Sequence, residues 1–261
     1  MHNYLVIRTS RLNMPTVFED LSVELIHEIL LYFQYHEIWS VFSNLNSRFT
    51  IIINNMSFMP IYLGYNAMSI ATTELYHRYL SKLDVSNSLI SLCVSNEFAF
   101  DNGIWLTSHL SSFINLRRLC LIDIKRCTFE SILDSISPMS SVNVFIVRFS
   151  MTAYAYDTFY GVPEGAYYDR VFRLFPSLRV CHLYFRRYIR NFVDNKFILP
   201  SDKPFMLVHA NFPNLQSLKI RCSIYFLSYL LEHLPQLEQL NYTHTDVWLP
   251  QGHPLRNDYN L

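Results

Sequence analysis

The chain has 261 residues, of which 51% are hydrophobic, 16% aromatic and only 16% charged. Its 21 Lys and Arg residues balance 21 Asp and Glu residues. This balance argues against a dedicated nucleic-acid-binding protein, because such proteins normally carry a basic excess. The apolar content is too high for a disordered chain, and the length allows one or two domains with a substantial core.

The first patterned segment is residues 18–33, which follow a leader of little pattern at residues 1–15. Its apolar residues recur at the spacing of an amphipathic helix, and Ser22 is placed to cap the N-terminus of that helix. Residues 36–44 and 45–53 predict two further short helical or mixed segments. A three-helix unit of this size often needs a partner to complete its core.

From about residue 85 a second pattern recurs, in which an apolar residue is followed by two others, an apolar residue, one other and an apolar residue. Helical stripes lie between the copies, and Pro176, Pro213 and Pro235 mark helix ends because Pro cannot continue a helix. Six copies occur: Leu89-Leu92-Val94, Leu116-Leu119-Leu121, Val142-Phe145-Val147, Leu178-Cys181-Leu183, Leu215-Leu218-Ile220 and Leu237-Leu240-Tyr242.

This succession predicts strand–helix units over residues 85–247. Units that bury their apolar anchors only against their neighbours are typical of repeat proteins. The alternative is a general α/β domain with parallel strands, which has the same succession of elements. Residues 56–84 are interpreted as a linker or a first incomplete repeat, and residues 248–261 as a C-terminal tail.

The N-terminal segment resembles an F-box, with Ser22 where that pattern usually has Pro and Phe49 where it usually has Trp. With the repeats, the chain resembles an F-box protein with leucine-rich repeats. The resemblance implies an α+β multi-domain fold, in which a small three-helix F-box at residues 16–55 precedes an irregular leucine-rich-repeat α/β solenoid. The residues that carry the F-box resemblance are Leu21, Ser22, Glu24, Leu25, Ile29, Leu30, Phe33, Glu37, Ile38 and Phe49.

The resemblance also implies a function. F-box proteins dock on the adaptor of an SCF-type cullin-RING ubiquitin ligase and hold a substrate protein on their repeats, so we expect a non-catalytic substrate receptor. An apolar helical stripe can enter a groove of a partner, although the same stripe could form the core of its own unit. The expected adaptor-binding residues are Leu21, Ser22, Glu24, Leu25, Ile29, Leu30, Phe33, Ile38 and Val41.

The residues between the repeat anchors are expected to share the opposite side of the strands. When the six repeat copies are aligned on their anchors, these positions include Cys93, Cys120 and several cations, but no acid. Arg side chains suit carboxylates and phosphates, so an acidic or phosphorylated substrate is one hypothesis, and a solvated face with cations lying over aromatic rings is the other. The candidate substrate-binding residues are Arg118, Arg148, His182, Tyr184, Lys219 and Arg221.

Two other functions remain open from the sequence. One is a repeat-based interaction scaffold with a degenerate F-box that recruits no ligase. The other is an enzyme of unrecognised type on a parallel α/β sheet. Because the HExxH, GxSxG, Walker and GxGxxG motifs are all absent from the sequence, we expect no catalytic activity, cofactor or metal site.

The five cysteines are scattered and include no CxxC pair, which is typical of a reducing compartment. No apolar stretch approaches the roughly 18 residues of a membrane-spanning helix. We therefore expect a cytoplasmic or nuclear protein that binds an SCF adaptor, and through it a cullin, and a substrate protein. Neither nucleic acid nor a membrane is an expected partner.

Overall fold

The computed structural model describes residues 18–33, 35–42, 45–54, 60–65, 68–96, 102–149, 162–184, 205–209 and 212–244. The expected leader at residues 1–15 and tail at residues 248–261 lie outside this described part. The chain divides into two compact units, Met1–Asn55 and Met56–Leu261. In the described part, no helix combines the length and the apolar character needed to cross a membrane.

The first unit is helical. A 3-10 turn at Phe18–Asp20 precedes helices α1 (Val23–Leu30), α2 (Tyr35–Phe42) and α3 (Ser47–Asn54). The predicted cap at Ser22 is confirmed, because its side chain accepts a hydrogen bond from the Leu25 backbone N–H at 3.4 Å. The core of the unit contains the fully buried side chains Ile26, Leu30, Ile38 and Phe49.

The second unit alternates strands and helices. Its strands are β1 (Ile61–Leu63), β2 (Ser91–Ser95), β3 (Arg118–Ile124), β4 (Val144–Phe149), β5 (Val180–Tyr184), β6 (Ser217–Cys222) and β7 (Gln239–His244). Its helices are α4 (Ile70–Leu80), α5 (Leu83–Ser88), α6 (Asn102–His109), α7 (Arg126–Ser135), α8 (Ala166–Leu174) and α9 (Ile224–Leu231), and a 3-10 turn at Leu110–Ser112 follows α6.

The strands form one seven-stranded sheet whose strand order is the chain order. Every neighbouring pair is parallel. Connections between parallel strands are almost always right-handed. Because each connection here leads to the next strand in the same direction across the sheet, the connecting helices lie on one face of the sheet.

Burial distinguishes the two faces of this sheet. On the helix-facing side Leu119, Phe145 and Leu218 are at most 1% exposed, and aromatic rings of the helices pack there. Phe129 of α7, for example, lies 6.5 Å from Phe145 of β4 between ring centroids. The alternate residues on the other side become more exposed from β2 towards β7, as Cys93, Ile146 and Asn241 illustrate.

The expected fold class is wrong. We expected an α+β multi-domain protein with a three-helix F-box and an irregular leucine-rich-repeat solenoid. In the residues that the structure describes, one seven-stranded, all-parallel sheet with intervening helices is found instead, which is an α/β fold and agrees with the alternative interpretation. The apolar spacing identifies strands and their buried side, but both architectures contain those features.

Residues 56–84, interpreted as a linker or a first incomplete repeat, contain strand β1, which pairs with β2 through Ile61–Leu92, Tyr62–Cys93 and Leu63–Val94. One local expectation needs correction. Leu240, expected as a buried anchor, is 42% exposed, because β7 lies at one edge of the sheet.

A buried carboxylate joins the start of α8 to the start of α9. Glu164 is 1% exposed and accepts hydrogen bonds from the Ser223 backbone N–H, at 2.8 Å, and from the Ser223 hydroxyl. The Ser223 Oγ also accepts from the Phe226 N–H at 3.3 Å and so caps α9. The adjacent Gly165 has φ +90°, and a Cβ there would collide with the Met206 carbonyl.

We expect Ser223→Ala to lower the free energy of unfolding by about 2–4 kcal/mol. The change removes a helix cap, worth about 1 kcal/mol, and leaves a buried carboxylate oxygen short of a donor, which costs about 1–3 kcal/mol. Chemical denaturation followed by circular dichroism measures the difference. Ser228→Ala, at an exposed position of the same helix, is the matched control and should change stability by less than about 0.5 kcal/mol; equal effects of the two variants would contradict the assigned role of Ser223.

Candidate functional site

The sheet face opposite the helices is the first candidate surface, and we call it the open face. Its residues alternate with the buried anchors along the strands. They are Ser91, Cys93, Arg118, Cys120, Ile146, Arg148, His182, Lys219, Arg221, Gln239 and Asn241. Tyr184 occupies the same phase in β5, but its side chain lies outside the described residues.

Strand register decides which of these residues are neighbours. His182 pairs with Lys219, and Arg148 with Tyr184, so these predicted site residues are brought together. Arg118 lies on β3, three strands from Lys219 on β6. Neighbouring strands are about 4.8 Å apart, so these two cations are separated by about 14 Å across the sheet and would contact different parts of a ligand.

The open face carries positive charge. Arg118 and Arg148 are exposed, whereas Lys219 and Arg221 are half-buried. No Asp or Glu occurs among the open-face positions named above. These cationic positions suit contact with several carboxylates or phosphates along an extended chain.

His182 is held as a neutral group on this face. Its Nε2 lies 3.3 Å from the Ser217 hydroxyl, and burial together with the charge of Lys219 lowers the pKa of its imidazole below the ordinary value. The adjacent Cys181 belongs to the opposite, helix-facing side and is fully buried. His182 and Cys181 therefore do not form a nucleophile–base pair.

The helices of the first unit provide the second candidate surface. Among the expected adaptor-binding residues, Leu25 is 49%, Phe33 40% and Val41 56% exposed. Ser22 and Glu24 are also exposed, and Leu21 and Ile29 are half-buried. By contrast, Leu30 and Ile38 have no exposed surface and lie in the core of the unit. The amphipathic stripe thus divides between an internal core and a free surface.

Among the described residues of this unit, five exposed large apolar side chains were missed by the sequence reasoning. They are Val23, Leu31, Tyr32, Leu45 and Ile51, and Tyr32 is 90% exposed. The sequence does carry a sign of this exposure for two of them. Leu31 and Tyr32 follow the last residue of α1 and therefore do not continue its apolar helical stripe. We refer to Val23, Leu25, Leu31, Tyr32, Phe33 and Val41 together as the N-terminal apolar set.

A cluster of polarisable and charged groups on the open face was also missed. Cys93 and Cys120 are register partners on β2 and β3, with Tyr65 and Arg118 beside them. A search along the chain for CxxC cannot find such a pair, although both cysteines hold the same phase in consecutive copies of the repeat pattern.

Within the described part of the chain, no group of three or more His, Cys, Asp and Glu residues is arranged to hold a metal ion.

Comparison with known proteins adds no relative. No family model, no curated protein and no solved structure matches this chain significantly.

Proposed function

We propose that this protein is a non-catalytic substrate-receptor subunit of an SCF-type cullin-RING ubiquitin ligase. Helices α1–α3 would bind the adaptor, which links them to a cullin, and the open face would bind the substrate protein. The observation that carries the proposal is the N-terminal apolar set, because a small helical unit with so many exposed large apolar side chains is typical of a docking module.

The energetics of these side chains support docking. Leu25 and Leu31 are about half exposed. Complete burial of a Leu side chain contributes about 1.5–3 kcal/mol, so covering the exposed half of Leu25 and of Leu31 would contribute roughly 1–1.5 kcal/mol each. The other members of the N-terminal apolar set would have to add to this to reach a micromolar affinity, which corresponds to about 8 kcal/mol.

Ser22 is compatible with an adaptor-binding helix. It occupies the place where an F-box usually has Pro, and both residue types favour the start of a helix. Here the Ser22 side chain caps α1, which supports the proposal that Ser can take the place of Pro at the start of this helix.

The charge of the open face favours an acidic or phosphorylated substrate. Arg118 and Arg148 expose guanidinium groups, which can form paired hydrogen bonds with carboxylates and phosphates. Arg148 is the register partner of Ile122, four residues beyond Arg118 on β3, so the two Arg positions lie roughly 13 Å apart along the strands. This separation suits a peptide with several negative groups better than a single phosphate.

A second candidate function is an interaction scaffold that recruits no ligase. One observation favours it: Leu30 and Ile38, two of the expected adaptor contacts, are fully buried in their own unit. Fewer apolar contacts are then left for an adaptor than the resemblance implies.

We expect Leu25→Asp to weaken adaptor binding by about 10- to 100-fold. The change removes apolar contact area and introduces a charge that must lose water in the complex. Isothermal titration of the full chain with the purified adaptor measures the affinity. Leu83→Asp makes the same substitution at a 73% exposed leucine of the second unit and should leave binding unchanged. If the unaltered, folded chain does not bind the adaptor at micromolar concentration, the ligase proposal is wrong and the scaffold is favoured.

We expect Arg148→Glu to weaken the binding of an acidic peptide by about 3- to 10-fold, because one attractive contact becomes repulsive. Suitable probes are a fluorescent poly-glutamate peptide and a doubly phosphorylated serine peptide, followed by anisotropy. Binding should also weaken as salt is raised, since exposed charges are screened. Arg78→Glu, at an exposed position of α4, is the control. Equal affinities for the unaltered chain and Arg148→Glu would contradict the assignment of substrate binding to the open face.

A further inference from the structure

Two cysteines face each other across neighbouring strands of the open face. Cys93 on β2 and Cys120 on β3 are direct partners in the parallel register. Such partners lie about 4.8 Å apart, within the range of roughly 4.4–6.8 Å between Cα atoms that a disulfide accepts. Both side chains leave the sheet on the same face, so the two sulfurs lie on the same side of the strands.

Polar groups surround this pair. The Tyr65 hydroxyl lies 3.3 Å from Cys93 Sγ. Arg118 precedes Cys120 by two positions on the same strand, so both residues lie on the open face. The cysteines are 7% and 5% exposed, so access is restricted to small reagents.

The surroundings shift the pKa values of the two thiols in opposite directions. Hydrogen bonding from the Cys93 thiol and then from the Arg118 guanidinium lowers the pKa of Cys120. The hydrogen bond to Cys120 and burial raise the pKa of Cys93. The positive charge of Arg118 favours the thiolate of Cys120, which is the nucleophilic form.

The other described cysteines do not share this arrangement. Cys181 pairs in register with Phe145 and Leu218, and Cys222 pairs with His244; both thiols are almost fully buried on the helix-facing side. Cys127 is exposed on helix α7. None of the three has a second cysteine as its strand partner.

We propose that Cys93 and Cys120 form an oxidisable dithiol, a modification site at which a hydroperoxide converts the pair into an intramolecular disulfide. In the first step the Cys120 thiolate attacks one peroxide oxygen of hydrogen peroxide. An S–O bond forms, the O–O bond breaks, hydroxide leaves, and Cys120 becomes a sulfenic acid. In the second step Cys93 loses its proton and attacks the Cys120 sulfur. The S–S bond forms, the S–O bond breaks and water leaves.

This site does not depend on the proposed ligase function, because it rests only on the register and surroundings of the two thiols. Neither of the two oxidation steps requires a protein bound to the sheet. Failure to bind an adaptor therefore leaves the dithiol proposal intact, and the reverse also holds.

The test is oxidation of the folded full chain with dilute hydrogen peroxide. The reaction is stopped with an alkylating reagent, and the chain is digested without reductant and analysed by mass spectrometry. We expect a peptide cross-link between Cys93 and Cys120 that dithiothreitol removes. Cys181→Ser, which changes a cysteine on the other side of the same sheet, is the matched control and should still form the cross-link.

Two variants separate the roles of the sulfurs. Cys93→Ser should leave a sulfenic acid on Cys120 that dimedone traps, whereas Cys120→Ser should leave Cys93 unmodified. Arg118→Gln should slow the oxidation of Cys120 by about 3- to 10-fold, because the thiolate loses its neighbouring cation. The unaltered chain alone can overturn the proposal: absence of the Cys93–Cys120 cross-link while exposed Cys127 becomes oxidised would show that the pair is not an oxidisable dithiol.

Discussion

The parallel register of the sheet is the constraint on which the rest of the second unit depends. Each strand pairs with the strand that follows it along the chain, and side chains in register lie side by side across the strands. One set of alternate positions therefore becomes a dry layer under the helices, as Leu119 and Phe145 show. The other set becomes a surface on which residues distant in sequence meet, such as His182 and Lys219. A shift of one residue in any strand would exchange these two sets.

The sequence contains enough information to locate most of the strands but not the architecture that they form. The apolar spacing predicts β2–β7, because a strand buried on one side needs apolar residues at alternate positions. It does not predict β1, whose three residues are too short to repeat the pattern. It also cannot separate a solenoid from a general α/β sheet, because that difference lies in how successive units are oriented. The exposure of Leu240 has a similar cause, since the spacing carries no information about which strand lies at an edge.

The candidate surfaces illustrate a second limit of sequence reasoning. An amphipathic stripe indicates which side of a helix is apolar, but not how much of that side is covered within its own unit. Leu25 and Leu30 belong to the same stripe, yet one is 49% exposed and the other is fully buried. The dithiol was missed for a different reason. Cysteine motifs are recognised by spacing along the chain, whereas the contact between Cys93 and Cys120 is made by strand pairing.

Arg118 connects the chemistry of the dithiol with that of the open face. In the reduced protein its positive charge is next to the Cys120 sulfur, so part of its charge is compensated when that sulfur is a thiolate. A disulfide carries no charge, and its sulfurs are weak hydrogen-bond acceptors. Oxidation would therefore release the Arg118 guanidinium and increase the positive charge that the open face presents. Both proposals together imply that oxidation strengthens the attraction of this face for an acidic ligand, because Arg118 then acts in the same direction as Arg148.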